Sequence, residues 1–240
     1  TLHKPRILCL HGGGVSARIF RMQARQLIEA LALHFRLVFA DGPFPSEMHP
    51  DLTSVYGQMG PCYRWAGWLP QHADLPAGET IETIRASLLH AMQADSAGTG
   101  RWVGLLGFSQ GARLAVSILL EDQRVEKGRG KEGRFFLGVQ WEFGVLLAGR
   151  GPPYNLSHQH RAAPAAEDEH EIWTTTPTLH VHGLQDPGLA FHRLLLREYA
   201  APGSALLIEW DGEHRVPIRT VDVDAVTGGI LRVAGIRGAM

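Results

Sequence analysis

The chain has 240 residues, 45% hydrophobic and 20% charged, with a formal net charge of −1. That is length for one large core, with no electrostatic case for nucleic acid or an anionic membrane surface as partner. Its two cysteines, Cys9 and Cys62, make no disulfide framework, no apolar run reaches membrane-spanning length, and residues Thr1–Pro5 lack a signal-peptide pattern, so the expected location is cytoplasmic.

Arg6–Leu10 is a continuous apolar run, the mark of a parallel strand buried on both faces. His11-Gly12-Gly13-Gly14 follows, and the spacing of Ile19, Phe20, Leu27, Ile28 and Leu31 predicts a helix over Ala17–Leu33. Phe35–Ala40 reads as a second strand, stopped by Asp41-Gly42-Pro43. From Pro43 to Pro76 the periodicity vanishes, and prolines alternate with Phe44, Tyr56, Tyr63, Trp65 and Trp68. A segment so long and so aromatic reads as a structured cap or the wall of a binding cleft rather than a linker.

Helical spacing returns over Glu79–Asp95, behind Gly78, and Arg101–Leu106 is a third strand. Gly107-Phe108-Ser109-Gln110-Gly111 comes next and leads into a helix-like run over Ala112–Leu120. Arg124–Arg134, of mixed sign, reads as a solvated loop, and a strand is placed near Phe143–Ala148. Gly149–Thr176 is a second irregular insert, with a histidine group and the acidic run Glu167–Glu171. Pro177–His182 is a strand, Leu189–Tyr199 a helix and Ser204–Trp210 a strand. Val221–Val233 is a closing helix weakened by Gly228 and Gly229. No repeat or linker divides the chain, so residues 1–240 are expected to form a single domain with irregular inserts near 43–76 and 149–176. Strands alternating with helices imply an α/β fold, a mostly parallel sheet flanked by helices, whose functional loops lie at the carboxyl ends of the strands.

The pattern around Ser109 is G-x-S-x-G between a strand and a helix, the nucleophile elbow. Glycines at 107 and 111 relieve crowding at so tight a turn, and the helix start aims its free N–H groups at whatever forms on the serine. A serine needs a base, and the base an orienting carboxylate. Asp186 stands just past one later strand and His214 just past the next, giving the order Ser, Asp, His that α/β-hydrolases use. Asp211 competes as the acid, but three residues from His214 it suits the turn with Gly212. His180 and His182 share a strand face and could ligate a metal, yet no third ligand is spaced to join them. His170, in its acidic run, reads as loop. No metal and no cofactor are expected. For the developing oxyanion the expected donors are the N–H groups of Gln110 and Gly13, with Gly14 next to them. Tyr63, Trp65 and Trp68 are candidates for an apolar acyl pocket, with core packing as the other reading.

Leu10–Gly13, Ile19-Phe20 with Gln23, Gly107–Ala112, Leu179–Gly183 with Asp186, and Glu213-His214 with Val216-Pro217 together resemble the fungal serine hydrolase (FSH) family. That family is similar to the human ovarian-cancer-associated hydrolase and to small carboxylesterases. The resemblance spans about residues 5–220 and implies an α/β-hydrolase fold with little or no separate lid, and a triad of Ser109, Asp186 and His214. Several fungal members serve polyketide pathways as stand-alone thioesterases. The implied partners are therefore a small-molecule acyl substrate and a polyketide synthase carrier domain. Small-molecule carboxylesterase, assisted cyclisation and a non-catalytic binding module on the same fold are the alternatives. The joint presence of nucleophile, acid, base and glycine loop argues against the last. Thioester and oxygen ester pass through the same tetrahedral oxyanion, and both stay open here.

Overall fold

In the computed structural model, which describes residues 2–67, 71–72, 77–127, 135–156 and 173–236, the first apolar run forms strand β1 (Arg6–Leu10). Five more strands join it: β2 (Arg36–Ala40), β5 (Trp102–Phe108), β6 (Phe143–Leu147), β7 (Thr178–Gly183) and β8 (Ala205–Trp210). The order across this six-stranded sheet is β2-β1-β5-β6-β7-β8, and every pairing is parallel. The chain goes from β1 outward to β2, then returns to the other side of β1 with β5. The sheet thus changes winding direction between β1 and β5, where the carboxyl ends leave a crevice.

Alternation within the strands sorts the core into two layers. Ile7 and Cys9 face one side with Leu106, Leu179 and Val181, under α1 (Ala17–Gln23), α2 (Arg25–Leu31) and α7 (Thr220–Val233). Leu8 and Leu10 face the other with Leu105 and Leu146, under α4 (Ala77–Ala94), α5 (Gln110–Glu126) and α6 (Leu189–Tyr199). The expected helix over Ala17–Leu33 is two helices joined at Ala24, a bend that lets Ile19 and Phe20 on one and Leu27 and Leu31 on the other reach the same sheet face. Gly78 lies inside α4 rather than before it, in the first turn, where glycine costs little.

Two stretches expected to be irregular carry structure too short to show a period. Within 43–67, β3 (Phe44–Ser46) and β4 (Cys62–Arg64) form an antiparallel pair around a 3-10 turn at Pro50–Leu52 and the short α3 (Thr53–Tyr56). Arg124, expected to open a loop, extends α5 instead. The side chains before it are anchored: Asp122 accepts the Phe136 N–H, while Gln123 donates to the Trp173 carbonyl and accepts from Thr175. Within the second insert, Leu156 is buried and Thr174 bridges to Ala200. His170 and the acidic run lie outside the described residues.

Buried ionisable groups give the fold a pH dependence of both signs. Burial pushes the Asp122 carboxyl up to about 7, only partly opposed by the Phe136 N–H. An unfolded chain ionises this group from the ordinary aspartate range upward, so its contribution to stability falls as pH rises toward 7 and levels off above. His180 is 1% exposed and neither ring nitrogen has a partner among the described residues. Burial holds its pKa down at about 3, so its contribution is intact at neutral pH and falls as pH drops below 6.5 toward 3. Denaturant titrations at several pH values check both. Relative to the parent chain, Asp122→Asn is expected to gain about 2 kcal/mol between pH 4.5 and pH 8. His180→Leu is expected to gain a similar amount between pH 7 and pH 4, in the opposite direction.

Candidate active site

The turn at Ser109 is set by how closely α5 crosses the strands. A Cβ on Gly111 would lie 2.1 Å from the Leu10 carbonyl oxygen, and one on Gly107 would lie 2.3 Å from the Gly111 carbonyl oxygen. With both positions bare, only Ser109 separates the end of β5 at Phe108 from the start of α5 at Gln110, and it is held at φ 53°, ψ −113°, a strained backbone for a residue with a side chain. Its N–H donates to the Leu147 carbonyl at 2.8 Å, which pins the turn to β6.

Two loops carry the partners. Past β7 the chain turns through Asp186, whose side chain is fully buried, and past β8 it turns through His214, whose side chain is 21% exposed. The loops touch because Gly183 has no side chain: a Cβ there would meet the carbonyl oxygens of Gly212 and Glu213 at 2.4 and 2.6 Å. Gln185 stitches them further, its N–H donating to the Gly212 carbonyl at 2.9 Å and its amide to the Asp211 carboxylate. Asp211 is thereby a loop tie. His214 Nδ1 lies 2.6 Å from Asp186 Oδ2 and His214 Nε2 lies 2.9 Å from Ser109 Oγ. A carboxylate only accepts, so the proton is on Nδ1 and Nε2 is left to accept from the serine hydroxyl. Phe108 lies against the His214 ring, centroids 5.0 Å apart.

Asp186 Oδ1 accepts the Gly188 N–H at 2.7 Å. Burial alone would raise this carboxyl. The His214 hydrogen bond and charge and the Gly188 N–H outweigh that and hold it below the usual aspartate range. His192 Nε2 stands 3.5 Å from Asp186 Oδ2, so Asp186, His192 and His214 present one ligand atom each within 4.8 Å. The 2.6 Å separation of Oδ2 and Nδ1 is a hydrogen bond. Two ligands on one tetrahedral zinc would stand about 3.3 Å apart, given metal bonds of about 2.0–2.1 Å. The 2.6 Å spacing is that of a hydrogen-bonded pair.

Facing Ser109 is the glycine loop, held from behind. The His11 ring is wholly buried; Nδ1–H donates to the Gly12 carbonyl at 2.7 Å and Nε2 accepts the Gly42 N–H at 2.8 Å. Burial holds its pKa down at about 4, so the ring is neutral and this tautomer persists. Gly14 donates its N–H to the Tyr63 carbonyl at 3.0 Å, which removes that amide from oxyanion duty. Gly13 alone in the loop 11–14 is partly exposed, and neither its N–H nor that of Gln110 has a protein acceptor among the described residues. The Gln110 side chain points elsewhere, clamping β4's end by accepting the Trp65 N–H at 2.7 Å and donating to the Ala66 carbonyl at 3.0 Å.

The structure corrects one pocket candidate. Trp65 is 0% exposed and donates its indole N–H to the His11 carbonyl at 2.9 Å, so it props the glycine loop rather than lining a cleft. Tyr63 is half-buried, and its backbone pairs with Gly14 and Val15. Trp68 lies outside the described residues. The sequence does not single out His192. Its only local signal is its place three residues before Leu195, on the buried face of α6.

A family profile described as "Serine hydrolase (FSH1)" matches residues 1–226. Esterase pigG of Monascus ruber is 45% identical over 260 aligned residues, which take in 100% of this chain and 95% of that protein. A probable esterase of Aspergillus terreus is 48% identical over 248, taking in 99% and 93%. Among solved structures, acyl-protein thioesterase 2 of Zea mays has a TM-score of 0.56 at 20% identity, covering 98% of this chain and 96% of that one. Esterase PE8 has a TM-score of 0.57 at 19%, covering 96% and 93%. At such identities the two structures speak for the α/β-hydrolase fold alone. The family match and the curated relatives go further: this chain belongs to the FSH1 serine hydrolase family.

Proposed function

We propose that Ser109, His214 and Asp186 are the nucleophile, base and orienting acid of an esterase that also accepts acyl thioesters. The observation that carries this reading is the unbroken line from Ser109 Oγ through His214 to Asp186, at 2.9 and 2.6 Å. His214 Nε2 takes the hydroxyl proton as Oγ adds to the acyl carbon, and the carbonyl electrons move onto oxygen. The N–H groups of Gln110 and Gly13 receive that oxyanion. Collapse expels the alcohol or thiol, which leaves with the proton from Nε2, and acyl-Ser109 remains. Water then gives a proton to Nε2, adds to the same carbon and releases the carboxylic acid, and Oγ recovers its proton.

The finer reading is that the thioester comes from a polyketide synthase carrier domain, in the cytoplasm. The family resemblance supports the carrier, and two buried free thiols, Cys9 and Cys62, support a reducing compartment. No helix among the described residues is long and apolar enough to cross a membrane.

A fluorophosphonate probe is expected to label Ser109 in the folded protein. An unlabelled serine would favour a binding module. Ser109→Ala is expected to lower kcat by about 10³-fold or more, and Asp186→Asn by about 10⁴-fold through the wrong imidazole tautomer. On a thioester and an oxygen ester of the same acyl chain, the thioester is expected to give the higher kcat/KM. An oxygen ester ahead by tenfold would overturn the carrier reading and leave the esterase standing.

A further inference from the structure

Helix α6 brings a second imidazole against the carboxylate that orients His214. His192 is 0% exposed, and its Nε2 lies 3.5 Å from Asp186 Oδ2, the oxygen already bonded to His214. The His192 and His214 rings stand 6.2 Å apart. Neither nitrogen of His192 has a hydrogen-bond partner among the described residues. The next position inward on this face, Leu195, is apolar and equally buried, so the site could have held a hydrocarbon side chain. A buried polar ring without partners needs a reason to be there.

The lone pairs of Asp186 supply one. Oδ1 takes the Gly188 N–H at 2.7 Å, with an Arg150 nitrogen 4.0 Å away. Oδ2 takes His214 at 2.6 Å, which leaves it a second acceptor site, and His192 Nε2 lies 3.5 Å from the same oxygen. Resting on the serine hydrolase reading above, we propose that His192 is a positioning residue for Asp186. Its neutral ring donates Nε2–H to Oδ2 as the site tightens around a bound substrate, and this fixes the rotation of the carboxylate toward His214. At 3.5 Å the contact is longer than a hydrogen bond, as relay contacts often are before substrate binds. Burial keeps His192 neutral, with its pKa down at about 4 despite the Asp186 charge.

The groups that face this pair are few. His182 on β7 lies 5.5 Å from the His192 ring, with His180 beyond it, and both are buried and neutral. The Glu209–Arg193 pair acts on His182 from outside, Arg150 acts on His192 from its loop, and His49 acts on His214.

The test compares His192→Phe, which fills the space without a donor, and His192→Gln, whose amide nitrogen can stand where Nε2 stood. Rates are taken per site titrated with a fluorophosphonate, so that loss of folded protein does not count. For His192→Phe, kcat is expected to fall about 10- to 100-fold, the worth of a hydrogen bond to a charged group. The acid limb of its kcat/KM profile should move to higher pH, because Oδ2 is left to hold the His214 imidazolium alone. His192→Gln should restore most of kcat and the parent's profile. If the Phe variant does not fold, His192→Asn replaces it: the amide keeps polarity in the cavity but falls short of Oδ2, and the same losses are expected. Parent-like kcat in the donor-less variant would overturn the proposal, as would equal impairment of both variants with an unmoved acid limb. An unlabelled Ser109 in the parent would instead overturn the serine hydrolase reading.

Discussion

The crossing of α5 over the end of β1 is the constraint on which the rest of the site depends. Backbone passes backbone with no room for a Cβ at 111, and the price is a strained Ser109 at φ 53°. That strain cannot relax alone, because the Ser109 N–H is tied to β6 and α5 is packed along its whole buried face. The turn therefore holds the Ser109 hydroxyl within reach of His214 Nε2, at 2.9 Å. The glycine loop after β1 lies directly beside it, since β1 and β5 are neighbours in the sheet.

Around that turn, polar groups do their positioning from inside the protein. His11 bonds the glycine loop from a wholly buried place, and Trp65 and the Gln110 amide attach the β3–β4 hairpin to the same loop and turn. Three further neutral imidazoles, His180, His182 and His192, lie between β7 and α6 behind Asp186. Burial disfavours their charged forms, and an apolar layer would pack there with less conflict. The fold accepts that cost beside Asp186. On the opposite layer, α7 carries a buried carboxyl too, Asp222, which accepts from Arg219.

Membership in the FSH1 family fits a division of labour visible in the architecture. Four strand ends bring Ser109, Asp186, His214 and the glycine loop to one sheet edge, and these positions are fixed by pairings between strands. The hairpin over 43–67 hangs from that edge and is tied to it, through Trp65 to the His11 carbonyl and to the Gln110 side chain.

The sequence by itself determined the elements whose signal is local. Continuous apolar runs mark strands buried on both faces, and the G-x-S-x-G spelling marks a turn that only glycine neighbours allow. Asp186 and His214 could be picked because each stands a few residues past a strand, where a parallel sheet places its functional loops. Tertiary structure decided whatever rests on contacts between distant segments. The break at Ala24 follows from fitting two apolar pairs to one sheet face, and the β3–β4 pair is too short to show a period. Trp65 reads as a cleft aromatic until its indole is seen beneath His11. His192 is one more residue on a helix until α6 docks on β7 and sets it against Asp186. Covalent spacing carries the first kind of information along the chain. The second kind exists only once packing has brought remote residues together.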